Sequence, residues 1–155
     1  VRKSPEVPGS RETYAAFVRE RVRQYFVAGE DNCAMTALKI LSEHFALPLD
    51  AQVVAAGWYV PGAGGVGEVC GLVMGVLMFL GVWADRHYAR REIPKPLVQR
   101  TVARVHHRFG SLCCRDLQRE EGCGSLAVAL FLDLLPFLDE ALGASQTAGA
   151  ESGGM

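Results

Sequence analysis

Residues 62–83 read GAGGVGEVCGLVMGVLMFLGVW, and the organisation of the chain turns on them. The first six, Gly62-Ala63-Gly64-Gly65-Val66-Gly67, form a glycine-rich loop, and the rest is almost wholly apolar. The run 69–83 is shorter than the roughly 18 to 20 residues of a membrane span, and Gly71, Gly75 and Gly81 interrupt it. It reads as a buried central helix. The loop also matches the dinucleotide fingerprint G-x-G-x-x-G, with Asp85 near the expected acidic position. That fingerprint has meaning only between a strand and a helix of a βαβ unit. The stretch before the loop is a poor strand ending in Pro61, and no second parallel strand follows. The sequence therefore disfavours nucleotide binding and reads the glycines as a loop that lets backbone pack close.

Outward from this segment the pattern is helical. Towards the N-terminus, Tyr14, Phe17, Val18, Tyr25 and Phe26 recur at helical spacing after the cap candidate Ser10, and Gly29 stops that helix. A second helix starts at Asp31 or Asn32 and runs to about Phe45, with Met35, Leu38, Ile40 and Leu41 inward. A short third helix covers residues 49–56. Beyond the apolar helix, a loop with Pro94 and Pro96 leads to a helix over 97–109. Gly110 ends that helix, and Ser111 caps a short one reaching Leu117. The last helix covers 125–142, with Pro136 a candidate kink. No segment alternates with period two over a strand's length. The expected fold is all-α: a compact bundle of about five to seven helices around a buried glycine-containing helix.

The 155 residues suit one domain, and half of them are apolar, so the chain is globular. Residues 10–142 form the domain, 1–9 read as a flexible arm, and 143–155 read as a small, polar, disordered tail. The net charge is −1, so no whole-chain field favours nucleic acid or an anionic membrane. The basic group Arg86, His87, Arg90 and Arg91 reads as a solvated loop surface. With no leader pattern at Val1, the expected location is cytoplasmic. His44, His87, His106 and His107 have no metal-ligand spacing, and no Ser/His/Asp constellation emerges.

The five cysteines carry more information. A reducing compartment disfavours a disulfide framework, so several cysteines in one small domain point to metal binding or redox chemistry. Cys33, Cys70, Cys113, Cys114 and Cys123 all fall near predicted helix N-termini. Free N–H groups and the helix dipole there favour thiolate, so these thiols are expected below their usual pKa near 8.5. No C-x-x-C pair exists, so any site must be assembled from four separate regions.

These residues resemble the C_GCAxxG_C_C family of bacterial and archaeal redox-active proteins, over about residues 14–142. Asn32-Cys33-Ala34 matches its first cysteine, and Cys70-Gly71-Leu72-Val73-Met74-Gly75 its C-G-A-x-x-G motif. Phe109 to Cys114 and on to Leu117 matches its next element, and Cys123 opens the final helix as the last family cysteine does. The chain departs at Leu72, where the motif has Ala. The resemblance implies Cys33, Cys70, Cys114 and Cys123 as redox or metal residues, with Cys113 a possible substitute for Cys114 and Asn32, Gly71 and Gly75 in support. It implies an iron–sulfur cluster, with [2Fe–2S] favoured, or a dithiol/disulfide centre for electron transfer. In the dithiol version Cys114 would pair with Cys123 and Cys33 with Cys70. The partner would be a redox partner the sequence does not identify, with no nucleic acid and no membrane, and a homo-oligomer is open. The alternatives are a structural zinc domain held by four cysteines and a metal-free helical interaction module. Whether the protein is an enzyme is left undecided.

Overall fold

In the computed structural model, which describes residues 11–88 and 94–152, Asn32 sets the start of the helix that organises the cysteine end. Its side chain accepts the Met35 N–H at 3.0 Å, an N-cap that satisfies one of the orphan donors of α2 (Cys33–His44). The same side chain donates to the Gly57 and Trp58 carbonyls at 3.0 and 2.8 Å. One residue thus starts α2 and ties down the segment after α3 (Ala51–Ala55).

Upstream, α1 (Arg11–Val22) continues into a π-helical turn, Arg23–Val27, that ends before Gly29. A Cβ at Gly29 would lie 2.5 Å from the Tyr25 carbonyl oxygen, so only glycine lets the chain leave here without a shift. The glycine loop holds a four-residue turn, α4 (Gly62–Gly65), with non-helical backbone at Ala63 and Gly64. α5 (Gly71–His87) follows, then α6 (Pro94–Phe109), α7 (Cys114–Leu117) and α8 (Cys123–Ser152). Among the described residues there are eight α-helices and no strand, and the fold is all-α. Each helix expected from the pattern has a counterpart; the four-residue turn in the glycine loop is the addition. α5 starts later than expected because Glu68 and Val69 pair with another segment. The backbone of α8 continues past Leu142 to Ser152, beyond the stop that composition suggested. Pro136 lies inside α8 on its exposed side, and the helix continues beyond it. The proposed arm and the Ser10 cap fall outside the described residues.

The core is built chiefly where α2 meets α5 and where α1 meets α8. Leu38, Ile40, Leu41, Phe79, Phe131 and Leu134 are fully buried, each contributing about 1.5–3 kcal/mol by leaving water. Phe45 stacks on Phe79 and meets Trp83 edge-on, extending this core along α5. Small residues decide how near α2 and α5 come. A Cβ at Gly75 would lie 2.6 Å from the Ala34 carbonyl oxygen and 2.7 Å from the Ala37 Cβ. At Gly71 it would overlap the Cys33 sulfur. The two glycines sit four residues apart on one face of α5 and let the backbone of α2 lie against it.

A three-part polar link joins α1, α2 and α8. His44 Nε2 is 2.8 Å from Asp139 Oδ1, and the Tyr14 hydroxyl donates to the other Asp139 oxygen. His44 is buried between Tyr14, Phe17 and Phe45. Burial, with the Asp139 bond and charge adding to it, pushes the Tyr14 phenol up to about 12.

Candidate four-cysteine site

Each cysteine occupies a helix start. Cys33 is the first residue of α2, Cys70 the N-cap of α5, Cys113 the N-cap of α7, Cys114 the first residue of α7, and Cys123 the first of α8. Local signals explain this: Asn32 caps α2, Ser111 Oγ accepts the Cys113 N–H at 3.0 Å, and Gly122 at φ +89° turns the chain into α8.

The long-range step is a short antiparallel pairing centred on Val69 and Cys113. The Cys70 N–H donates to the Leu112 carbonyl at 2.8 Å, and the Cys114 N–H to the Glu68 carbonyl at 2.6 Å. The Arg115 N–H donates to the Gly67 carbonyl at 3.0 Å, and the Arg115 side chain pairs with Glu68. Side chains alternate along extended backbone. Val69 and Cys113 therefore share one side of this ladder, and Cys70 and Cys114 are turned to the other.

The consequence is visible in the small cavity at this end of the molecule. Cys33, Cys70, Cys114 and Cys123 line it together, with Leu117 and Gln118 closing part of its wall. Cys113 is not among the residues that line it. Its volume is about 10 Å³. Leu72, the departure from the family motif, is buried and lines the same cavity. Gly71 is the floor that admits the Cys33 sulfur.

The electrostatics correct one expectation. Placement at helix starts was expected to lower the thiol pKa values, and for three of the four the balance runs the other way. Burial pushes the Cys33 thiol up to about 12; the neighbouring Cys70, Cys123 and Cys114 add to the rise, and the Ala34 N–H opposes it. Burial also raises Cys70, against the pull of the Val73 and Leu72 N–H groups. Burial raises Cys123, with Cys114 adding. Loss of hydration of a buried thiolate outweighs one or two backbone donors. All five cysteines are free thiols.

Sequence reasoning named the four cysteines but missed Gln118, whose side-chain amide donates to Cys114 Sγ at 3.8 Å. Its position four residues after Cys114 is the only sequence signal that could have found it. The exposed large apolar side chains among the described residues include Trp58, Tyr59, Val66 and Val69. They stand on segments tied to the site: Trp58 through Asn32, Val66 in the glycine loop, and Val69 beside Cys70. Among the described residues no helix is long and apolar enough to cross a membrane.

An all-α domain that draws four cysteines from four helix starts to one cavity defines a class by its site. The family model described as "Putative redox-active protein (C_GCAxxG_C_C)" matches residues 31–132, a span that holds all five cysteines. The chain belongs to this family. No curated protein and no solved structure matches it.

Proposed function

We propose that Cys33, Cys70, Cys114 and Cys123 form a thiol–disulfide redox centre that exchanges electron pairs with a disulfide-bearing partner. The observation that carries this reading is their convergence on one cavity of about 10 Å³. Four sulfurs around so little space are suited to closing on one another. In the step, a cysteine thiolate attacks a partner disulfide, whose S–S bond breaks as one partner sulfur leaves and takes a proton. A second cysteine then attacks the mixed disulfide and expels the other partner sulfur. Two protein thiols are oxidised to one disulfide, and the partner disulfide is reduced to two thiols. The exposed Trp58, Tyr59, Val66 and Val69 favour a protein partner that docks through apolar surface.

The donor set has the softness that an iron–sulfur cluster or zinc requires. We favour the sulfurs' own chemistry over a cluster because the cavity they line holds about 10 Å³, the room of one water-sized sphere, while a [2Fe–2S] unit brings two irons and two sulfides. Among the described residues no group of three or more Cys, His, Asp or Glu is arranged to hold a metal ion. The chemistry above needs only the chain's own thiols and the disulfide of a partner.

The test is anaerobic equilibration of the reduced protein in glutathione buffers of stepped potential, followed by alkylation and intact mass. Loss of thiols in reversible steps of two supports the proposal. Five free thiols at every potential overturn it, as does stoichiometric iron with visible absorption in the same sample.

A further inference from the structure

A second cavity lies where α1, α6 and α8 meet, and none of the five cysteines lines it. Its volume is about 660 Å³, within the range of roughly 300–1,000 Å³ that small-molecule sites occupy. We propose that it binds an aromatic monocarboxylate, with Arg108 as the residue that takes the carboxylate. This site stands apart from the thiol chemistry and does not depend on it.

The α8 wall is one helix face: Ala129, Leu132, Asp133 and Pro136 recur at i, i+3, i+4 and i+7. Arg104, Arg108 and Phe109 of α6 and Tyr14 of α1 complete the lining. The Asp133 side chain is only 9% exposed, so its charge needs a partner. Arg104 supplies it: Nε donates to Asp133 Oδ2 at 2.9 Å and Nη2 donates to Oδ1 at 3.1 Å. The Arg104 guanidinium also lies over the Phe137 ring, 5.1 Å from its centroid. The fork of Arg104 is therefore committed to fastening α6 to α8. Arg108 differs. Its Nε stands 3.6 Å from Asp133 Oδ1, beyond hydrogen-bond reach, and its side chain is 65% exposed. Among the described residues its guanidinium has no hydrogen-bond partner. One carboxylate thus serves two guanidiniums at this cavity, and one positive charge is unmatched.

These features select the ligand. One surplus charge suits a monoanion rather than a dianion. The planar fork of an arginine matches a carboxylate through two parallel N–H···O bonds. The Tyr14 hydroxyl already donates to Asp139, so Tyr14 serves the cavity through its ring. With the Phe109 ring, Leu132 and Pro136, it forms walls suited to a flat aromatic body that leaves water on binding. A small inorganic anion would leave those walls wet.

The experiment is calorimetric titration of cinnamate into the full reduced chain at low ionic strength, where exposed charges are least screened. Cinnamamide, with the same body and no charge, and inorganic phosphate are titrated beside it. Cinnamate is expected to bind, cinnamamide to bind about tenfold more weakly, and phosphate to give no signal. Arg108→Ala should weaken cinnamate about tenfold, to the level of the amide, and leave the amide unchanged. Arg108→Lys should fall between the two, because it keeps the charge and loses the fork. Ala129→Phe fills the cavity without touching a charge and should abolish binding of both. Urea midpoints check that the exposed Arg108 variants fold as the wild type does. The proposal is overturned if cinnamate gives no signal at millimolar concentration, if acid and amide bind alike, or if Arg108→Ala binds cinnamate as tightly as the wild type. Undiminished binding to Ala129→Phe overturns it too, by placing the ligand elsewhere. None of these outcomes bears on whether the cysteines close disulfides, so the two readings stand or fall separately.

Discussion

A Cβ placed on Gly71 overlaps the sulfur of Cys33. The first residue of α5 and the first of α2 are thus fitted to each other, and the fit sets where one of the four sulfurs can lie. Gly71→Ala would force that sulfur, or Pro61 whose Cβ and Cγ lie 2.9 Å away, to move. Overpacking of this kind costs about 1–3 kcal/mol. Urea unfolding of Gly71→Ala should show that loss, and Cys33 should alkylate faster in the variant.

The same helix offers its own control. Gly75→Ala meets a backbone carbonyl and the Ala37 Cβ, neither of which is a flexible side-chain end, so it too should destabilise by about 1–3 kcal/mol. Gly81 is exposed, with nothing within 4 Å of a built Cβ. Gly81→Ala should therefore stabilise by about 0.5–1 kcal/mol through helix propensity alone. Equal effects at positions 75 and 81 in denaturant titrations would show that close packing of α2 on α5 is not what the first glycine provides.

How much of this was legible before the structure follows from the range of each signal. Asn32 before a periodic run, Gly29 after one, and Ser111 before Cys113 are local, and they placed the cysteines at helix starts. The pairing of residues 67–70 with 112–115 is long-range and too short to leave a period-two pattern. It turns Cys114 rather than Cys113 to the cavity, a choice the sequence left open. Desolvation was illegible for the same reason: the helix start is a local feature that favours thiolate, but the burial that overrides it comes from helices distant in sequence. The link from His44 to Asp139 and Tyr14 spans nearly the whole chain, so nothing in the spacing of those three residues announced it.

Asn32 makes two kinds of bond, and two substitutions separate them. Asn32→Ala loses the cap on α2 and both donations to the Gly57 and Trp58 carbonyls. A cap alone is worth about 1 kcal/mol, so a loss of about 1–3 kcal/mol is expected. Asn32→Asp keeps a good capping oxygen but turns the donor into an acceptor facing two carbonyls. It should also destabilise, by about 1–2 kcal/mol. A wild-type unfolding midpoint for Asn32→Asp would mean that the tie to the Trp58 segment carries no stability.

The raised thiols predict a direction for the pH dependence of stability. Cys33 releases its proton in the folded protein only at about 12, whereas in the unfolded chain it does so near the ordinary thiol value. Between these the unfolded state has lost the proton and the folded state has kept it. Stability is fully present below the unfolded value and falls as pH rises towards the folded one. Cys70 and Cys123 act in the same sense. Unfolding midpoints under reducing conditions should therefore decline from about pH 8.5 upward, at most about 1.4 kcal/mol per pH unit for each titrating thiol. Cys33→Ser, which has no thiol to ionise, should decline less steeply over the same range. Identical slopes would show that Cys33 is not held protonated by the fold.

The adjacent pair Cys113–Cys114 gives the most direct test of the site. The two residues share a turn and a neighbourhood in sequence, so any effect of a missing thiol on reactivity in general should be similar for both. They differ in the side of the ladder they occupy: Cys113 is paired across from Val69, and Cys114 faces the cavity. Cys113→Ser replaces a sulfur that does not line the cavity and should leave the number of thiols lost on oxidation unchanged. Cys114→Ser removes one of the four converging sulfurs and should leave one reversible disulfide in place of two, with a free thiol in its former partner. Tryptic mapping of the oxidised variants reads this directly. A disulfide that reaches Cys113 in the wild type, or full oxidation of Cys114→Ser through Cys113, would mean that the pairing of residues 67–70 with 112–115 opens during turnover. The choice between the two neighbours would then be made by the chemistry and not by the fold.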